Sequence, residues 1–132
     1  MDNHTPRFFK TRLFAKRAAK ARISDQELFQ AGTDLTQGKG ANLGGGVWKK
    51  RLNKNLHRSI VVEKVAAWWF FIYLYAKRDR ENIDQAEEAA FKRLAAQYAV
   101  MQDAQLDELL MLHELLEIFS HDDQAPLQER CV

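Results

Sequence analysis

Gly44-Gly45-Gly46-Val47-Trp48-Lys49-Lys50-Arg51-Leu52 is the stretch on which the fold turns, with His57-Arg58-Ser59-Ile60-Val61-Val62 and the aromatic run Trp68 to Tyr75, closed by Lys77-Arg78, behind it. Val47 to Leu52, His57 to Lys64 and Ala66 to Lys77 are rich in β-branched and aromatic residues, and they read as three strands of an antiparallel meander. Asn53-Lys54-Asn55 supplies the first turn and Lys64-Val65 the second. The three glycines remove three side chains in succession. That suits a tight turn, a bulge or the close approach of another backbone, and equally a plain flexible loop. They do not make a phosphate-cradling loop of Walker type, because they precede a strand and lack the Gly-Lys-Ser/Thr ending.

Outward from this core, Arg7 to Lys10 reads as a short strand carried by Phe8 and Phe9. Thr11 caps a helix running through Ala21, with Leu13, Phe14 and Ala18 on one stripe and Arg12, Lys16, Arg17, Lys20 and Arg22 outside. Ser24 and Glu27 have the spacing of a capping box, and Ile23 and Leu28 that of a hydrophobic staple. The helix that follows keeps Leu28, Ala31 and Leu35 together and ends at Gly38 and Gly40. Asp84, with Glu87 three residues on, starts a third helix striped by Phe91, Leu94, Tyr98 and Met101. Asp103 caps a fourth, with Leu106, Leu109, Leu110, Leu116 and Phe119 facing inward and His113 in the same stripe as a core or rim histidine. Residues from Ser120 read as a loose polar tail. The fold class expected is α+β. A small antiparallel sheet of about four strands carries two N-terminal helices on one face, and two further helices follow. The chain is one domain over 1–132, with its core at about 7–119.

The composition is that of a globular protein able to bury a core: 132 residues, 46% apolar and 29% charged. A net charge of +2 conceals a division. Residues 1–80 carry 17 Lys and Arg against 6 Asp and Glu, whereas residues 81–132 carry 3 against 12. This points to a basic working face with an acidic region elsewhere, or to two solvated faces that pair internally. The single cysteine, Cys131, cannot form an internal disulfide and fits a reducing cytoplasm. The N-terminus lacks the basic start and apolar stretch of a signal peptide. The longest apolar run, Val65 to Ala76, falls short of the roughly 20 residues of a spanning helix, so no membrane association is expected.

Strand alternation sorts the side chains. Lys49 and Arg51 point one way, and Trp48, Lys50 and Leu52 the other. Arg58 shares a face with Ile60 and Val62, and Tyr73 and Tyr75 share one with Lys77. Ile72 and Leu74 take the opposite face, against the first two helices. In a register that brings them together, Lys49, Arg51, Arg58, Tyr73, Tyr75 and Lys77 make one concave patch suited to a polyanion, RNA above all. Taken singly, exposed lysines and arginines of this kind are ordinary solubilising residues, and Trp68 to Phe71 are core aromatics. His57 adjoins Arg58 and is a candidate phosphate contact. Ser59 lacks a nucleophile-elbow pattern, and no His, Cys or Asp spacing makes a metal site. No cofactor is expected.

A short strand, two helices, then Leu43-Gly44-Gly45-Gly46 with Lys49 and Arg51 resembles the RelE/ParE superfamily of type II toxin–antitoxin toxins. Tyr75-Ala76-Lys77-Arg78-Asp79-Arg80-Glu81-Asn82-Ile83 and Ala90-Phe91-Lys92-Arg93-Leu94-Ala95 extend the likeness, which is greatest to the HigB-like RelE branch. The resemblance implies a small toxin that cleaves mRNA on the ribosome without a metal, leaving a 2′,3′-cyclic phosphate. It also implies a cognate antitoxin from an adjacent gene, with operator DNA reached only through that antitoxin. Catalysis carries over to Lys49, Arg51, Arg58 and Lys77, and RNA contact to Lys50, Lys54, His57, Tyr73, Tyr75, Arg78 and Arg80. Relatives carry a Gly/Ser-rich loop before the arginine of the second strand, where this chain has the shorter Asn53-Lys54-Asn55-Leu56-His57-Arg58. Two alternatives stand beside the nuclease: a ParE-like, non-enzymatic gyrase inhibitor, and a non-catalytic RNA- or ribosome-binding module on the same scaffold. The acidic fourth helix is a solvated face or part of the antitoxin contact.

Overall fold

The computed structural model of the chain describes residues 5–64 and 68–120. Strand β1 (Arg7–Thr11) leads into helices α1 (Arg12–Lys20) and α2 (Asp25–Thr36). Strands β2 (Ala41–Gly44), β3 (Val47–Leu52), β4 (His57–Lys64) and β5 (Trp68–Ala76) follow, then helices α3 (Gln85–Ala99) and α4 (Asp103–Met111) and strand β6 (Leu115–Ile118). They build one six-stranded sheet in the order β2-β3-β4-β5-β1-β6. The α+β class and the antiparallel meander hold, with two strands more than expected. β1 pairs parallel with β5, and every other pairing is antiparallel. The expected turn at Lys64-Val65 and the tail beyond Ser120 lie outside the described residues.

Helices cover both faces. Phe14 and Ala18 of α1 and Leu28, Ala31 and Leu35 of α2 pack on Phe8, Val61, Trp69, Phe71 and Leu74. On the other face Ala95 of α3 and Leu106 of α4 pack with Phe9, Val47, Ile60, Val62 and Phe70. The middle of β4 is therefore buried on both sides, which explains its unbroken Ser59 to Val62 run of buried residues. Ser59 is fully buried, and its hydroxyl donates to the Lys50 carbonyl at 2.9 Å. Leu13 does not join the α1 stripe: it is 53% exposed, one helical position away from Phe14.

The helix starts follow their sequence signals. Thr11 Oγ1 accepts from the Phe14 N–H, and Asp84 and Glu87 form a reciprocal capping box. Ser24 Oγ accepts from the Glu27 N–H, but the Glu27 carboxylate accepts from the backbone N–H of Asn53 at the β3–β4 turn. Half of the expected box is thus spent on a distant turn. The last helix departs most. Gln102, not Asp103, is its N-cap, and it ends at Met111. His113 adopts φ 59°, its N–H donates to Leu110, and the Glu114 N–H donates to Leu109. These are the two bonds of a Schellman motif, with His113 in the left-handed position usually held by Gly. His113 is accordingly exposed rather than in the core. The chain then reverses into β6, which buries Leu115 and Ile118 and leaves Leu116 and Phe119 half-buried.

The glycine run forms the tight β2–β3 turn. Gly44, Gly45 and Gly46 have φ of 89°, 62° and 84°, a region costly for residues with a Cβ. The space is also taken. A Cβ on Gly45 would lie 3.2 Å from the Lys92 side chain, and one on Gly46 would lie 3.2 Å from the Glu63 carbonyl. Strand β2 exists because this turn brings Ala41 and Asn42 back along β3. Gly46→Ala should destabilise the protein by about 1–2 kcal/mol from backbone conformation alone, with contact strain added. Gly38→Ala has the same sign of φ but open space around it, so it should cost less. Urea midpoints of the two variants compare them directly.

Candidate active site

Cross-strand register places the basic residues in two rows on the face that carries α3. Arg51 of β3 stands directly opposite Arg58 of β4, which stands opposite Tyr75 of β5. One row along, Lys49 is opposite Ile60, and Ile60 is opposite Tyr73. The tyrosines reach this face through a β-bulge. The register slips at Ile60/Val61, so that Ile60 faces Tyr73, Val61 faces Phe71, and Ile72 is the extra residue. Ile72 joins Tyr73 and Tyr75 on the α3 side instead of lying with Leu74 against α1 and α2. Without the inserted residue, Tyr73 and Tyr75 would continue the Trp69 and Phe71 face beneath α1.

Lys49, Arg51 and Arg58 line one hollow of about 580 Å³ together with Lys39, Lys50 and Glu81. Its sides differ in how firmly they are held. Lys49 Nζ donates to Asn82 Oδ1 at 3.2 Å. Lys50 pairs with Asp34 at 3.2 Å and donates to the Lys39 carbonyl, which ties it to the end of α2. Arg58 Nη1 donates to the carbonyls of Asn55 and His57. Arg51 is exposed and, among the described residues, has no ion pair. Two guanidinium groups directly opposite each other, with no carboxylate bonded to either among the described residues, repel. An anion bound between them reverses the sign of that interaction.

The β3–β4 turn beside Arg58 is strained. Asn53, Lys54 and Asn55 have φ of 55°, 53° and 72°, three non-glycine residues in the left-handed region in succession. Glu27 holds the Asn53 N–H, Asn53 Nδ2 and His57 Nδ1 lie 3.2 Å apart, and Arg58 holds the Asn55 carbonyl. Lys54 projects from the tip as an exposed cation.

Lys77 stands apart from the three other expected catalytic residues. Its N–H donates to the Leu56 carbonyl, and its side chain lines a separate hollow of about 420 Å³ with Leu56, His57, Ala76 and Arg78. Tyr75 is only 5% exposed and offers no free ring face, which corrects the expectation that it stacks on a base. Among the described residues its buried hydroxyl has no hydrogen-bond partner; burial pushes its pKa up, and the charges of Arg58 and Arg80 oppose that shift. Tyr73 is half-buried, packed at 5.8 Å on Phe91 and 5.7 Å on Tyr75. Arg78 is exposed, and among the described residues its one ion pair is with Asp79 at 3.9 Å.

A family model described as the RelE toxin of the RelE/RelB toxin–antitoxin system matches residues 6–118. The chain belongs to the RelE toxin family. No curated protein and no solved structure matches it. The family match runs from β1 through β6, so the second edge strand, unseen in the sequence, belongs to the RelE unit. In this RelE toxin Arg80 is used internally. Nε donates to the Asn82 carbonyl, Nη1 to Tyr73 Oη, and Nη1 and Nη2 to the two oxygens of Glu87, with the guanidinium 5.6 Å from the Tyr75 ring. That spends its donors on the fold, in place of the RNA contact expected of it. Asn82, Glu87 and Lys39 were not singled out as site residues by sequence. The one signal was the position of Asn82 and Glu87 within the Arg80 to Glu87 stretch that starts α3.

The Arg80 hydrogen bonds hold the Glu87 carboxyl below the ordinary carboxylate range, aided by the Asp84 N–H. A carboxylate with a lowered folded pKa stabilises the fold above its unfolded pKa, and that contribution is lost as the pH falls through the folded value. Stability should therefore decline on acidification below about pH 4.5, the unfolded value. Glu87→Gln should flatten this part of the curve, measured as urea midpoints between pH 3 and 7, roughly the span of carboxylate titration.

Proposed function

We propose that this RelE toxin is a metal-independent endoribonuclease that cuts mRNA on the ribosome and thereby halts translation. The observation that carries the reading is the Arg51–Arg58 cross-strand pair with Lys49 in the next row. Cleavage of RNA by its own 2′-hydroxyl requires a base at that hydroxyl, charge stabilisation of the pentacoordinate phosphorus, and an acid at the departing 5′-oxygen. Arg51 and Arg58 contact the non-bridging phosphate oxygens, where planar guanidinium groups bind in bidentate fashion. Lys49, oriented by Asn82, exchanges the proton at one of the two reacting oxygens. Lys77, in the neighbouring hollow with His57 and Arg78, acts at the far end of the same phosphate track. The oxygen–phosphorus bond to the 5′ leaving group breaks as the 2′-oxygen bond forms, giving a 2′,3′-cyclic phosphate and a 5′-hydroxyl. Tyr73 borders the track, and Lys50, Lys54 and Arg78 add phosphate contacts along it.

The antitoxin partner follows from the family, whose toxins are paired with a RelB antitoxin. We place part of its contact on the acidic α4 end. There the exposed Val100 and Leu112 border a hollow of about 380 Å³, and Met111 is 77% exposed. Operator DNA is reached through the antitoxin. Among the described residues no helix is long and apolar enough to cross a membrane.

Arg51→Ala combined with Lys49→Ala should lower the rate of mRNA cutting in a translation extract by at least about a hundredfold, with the circular dichroism spectrum unchanged. Cutting that survives the double change refutes the site. RNA bound but never cut by the wild-type chain identifies a binding module instead, and loss of gyrase supercoiling identifies a gyrase poison.

A further inference from the structure

We infer that α1 and the turn after β5 form a second anion site, on the α1 side of β5 and meeting the Lys77 hollow at Arg78, that grips the sugar-phosphate backbone of double-helical RNA. The juxtaposition is plain in the side chains. Arg17 and Lys20 of α1 and Arg78 of the turn line one hollow of about 430 Å³ with His57, Tyr73, Tyr75 and Arg80, and its one lining carboxylate, Asp79, lies 3.9 Å from Arg78. Lys16, one turn before Lys20 on α1, is exposed beside them.

Ion pairing separates these cations from the structural ones. Arg7, Lys10, Arg12, Lys50, Arg80 and Lys92 each have a carboxylate within 3.2 Å. Among the described residues Lys16, Arg17 and Lys20 have none. The macrodipole of α1 accounts for basic residues in its last turn. It does not account for Arg78, brought to the same hollow from another element. The site is also held in shape. Arg17 Nη1 donates to the Leu74 carbonyl at 3.1 Å, and its guanidinium stands 5.3 Å from the Tyr73 ring.

The chemistry favours phosphates without bases. Single strands are bound through aromatic platforms. Here Tyr75 is buried and Tyr73 is engaged by Phe91, Arg17 and Arg80, so no ring face is left. A duplex presents its backbone and keeps its bases stacked, which is what a cationic surface whose ring faces are already covered can hold. A protein partner needs buried apolar or aromatic anchors, and α1 exposes one large apolar side chain, Leu13.

The inference gains its biological sense from the RNA-directed reading above, but its test is separate. The probes are a labelled RNA duplex of about 16 base pairs, a single-stranded uridine oligomer and a polyglutamate peptide, titrated against the full chain over a range of salt. Lys16→Gln with Lys20→Gln should weaken duplex binding about tenfold and lower the salt slope by about one unit per lost phosphate contact. Uridine-oligomer binding should be unchanged. Glutamine is nearly as good a helix former as lysine, so the fold persists and the urea midpoint checks it. Unchanged duplex affinity overturns the inference, as does an equal loss on duplex and single strand. A loss confined to polyglutamate overturns it in favour of an acidic protein partner. If Lys49→Ala with Arg51→Ala leaves the single strand bound while the α1 variant loses the duplex, the sheet reading fails and this one stands.

Discussion

The β-bulge at Ile72 sets the phase of everything beyond it on β5, because a strand alternates its side chains with a period of two and one inserted residue exchanges the faces. Before the bulge, Trp69 and Phe71 serve the core beneath α1 and α2. After it, Tyr73 and Tyr75 lie on the α3 face, in line with Arg58 and Ile60. Arg80 then takes the Tyr73 hydroxyl and the Tyr75 ring as its neighbours, and through Glu87 it joins the turn after β5 to the start of α3. Asn82, in that same turn, fixes Lys49. A single irregularity of the backbone thus sets β5 against the turn that starts α3, beside a basic hollow whose cations come from the unslipped pairing of β3 and β4.

Charge pairing follows the division seen in the sequence. The acidic second part of the chain reaches back to the basic first part: Glu117 to Arg7, Glu114 to Arg12, Glu87 to Arg80. The Arg7 guanidinium has its pKa raised chiefly by its hydrogen bond to Glu117. These contacts fasten β6 to β1 and α3 to the β5 turn, so the asymmetry is partly structural. Among the described residues, two groups of cations outside the close pairs gather in hollows. Arg51 and Arg58 face each other across two strands, and Arg17 and Lys20 of α1 line a hollow with Arg78, whose nearest carboxylate is Asp79 at 3.9 Å. Exposed pairs contribute little stability individually.

Much of this was legible because it depends on local chemistry. Thr11, Ser24 and Asp84 are caps with mechanisms, and the meander follows from β-branched and aromatic runs broken by Asn53-Lys54-Asn55. The facing of Lys49, Arg51 and Arg58 followed from alternation, since β3 and β4 pair without a slip from Val47/Val62 to Leu52/His57. What escaped depends on tertiary context. Strand β2 is four residues of weak β propensity held by a glycine turn. The leucines of 106–116 continue a helical period across a Schellman stop made by a histidine, so no Gly or Pro announces it. The bulge leaves no mark in a run of nine aromatic and aliphatic residues.

Strain in the β3–β4 turn bears on how the hollow is kept open. A left-handed residue other than glycine costs roughly 1–2 kcal/mol, and asparagine bears it most easily, which suits two of the three positions here. The turn stays because its freed groups are held: Glu27 at its start, Arg58 at its end, the Leu56 N–H on the Asn53 carbonyl within. Arg58 is thus attached to the turn, and under the proposed function an anion beside Arg51 would be its second partner. An anion that draws the guanidinium toward Arg51 works against the Asn55 bond that braces the turn. The hollow and the strained turn are one coupled unit, and a short turn in place of a long Gly/Ser-rich loop fixes the arginine from the backbone where a flexible loop would leave it free.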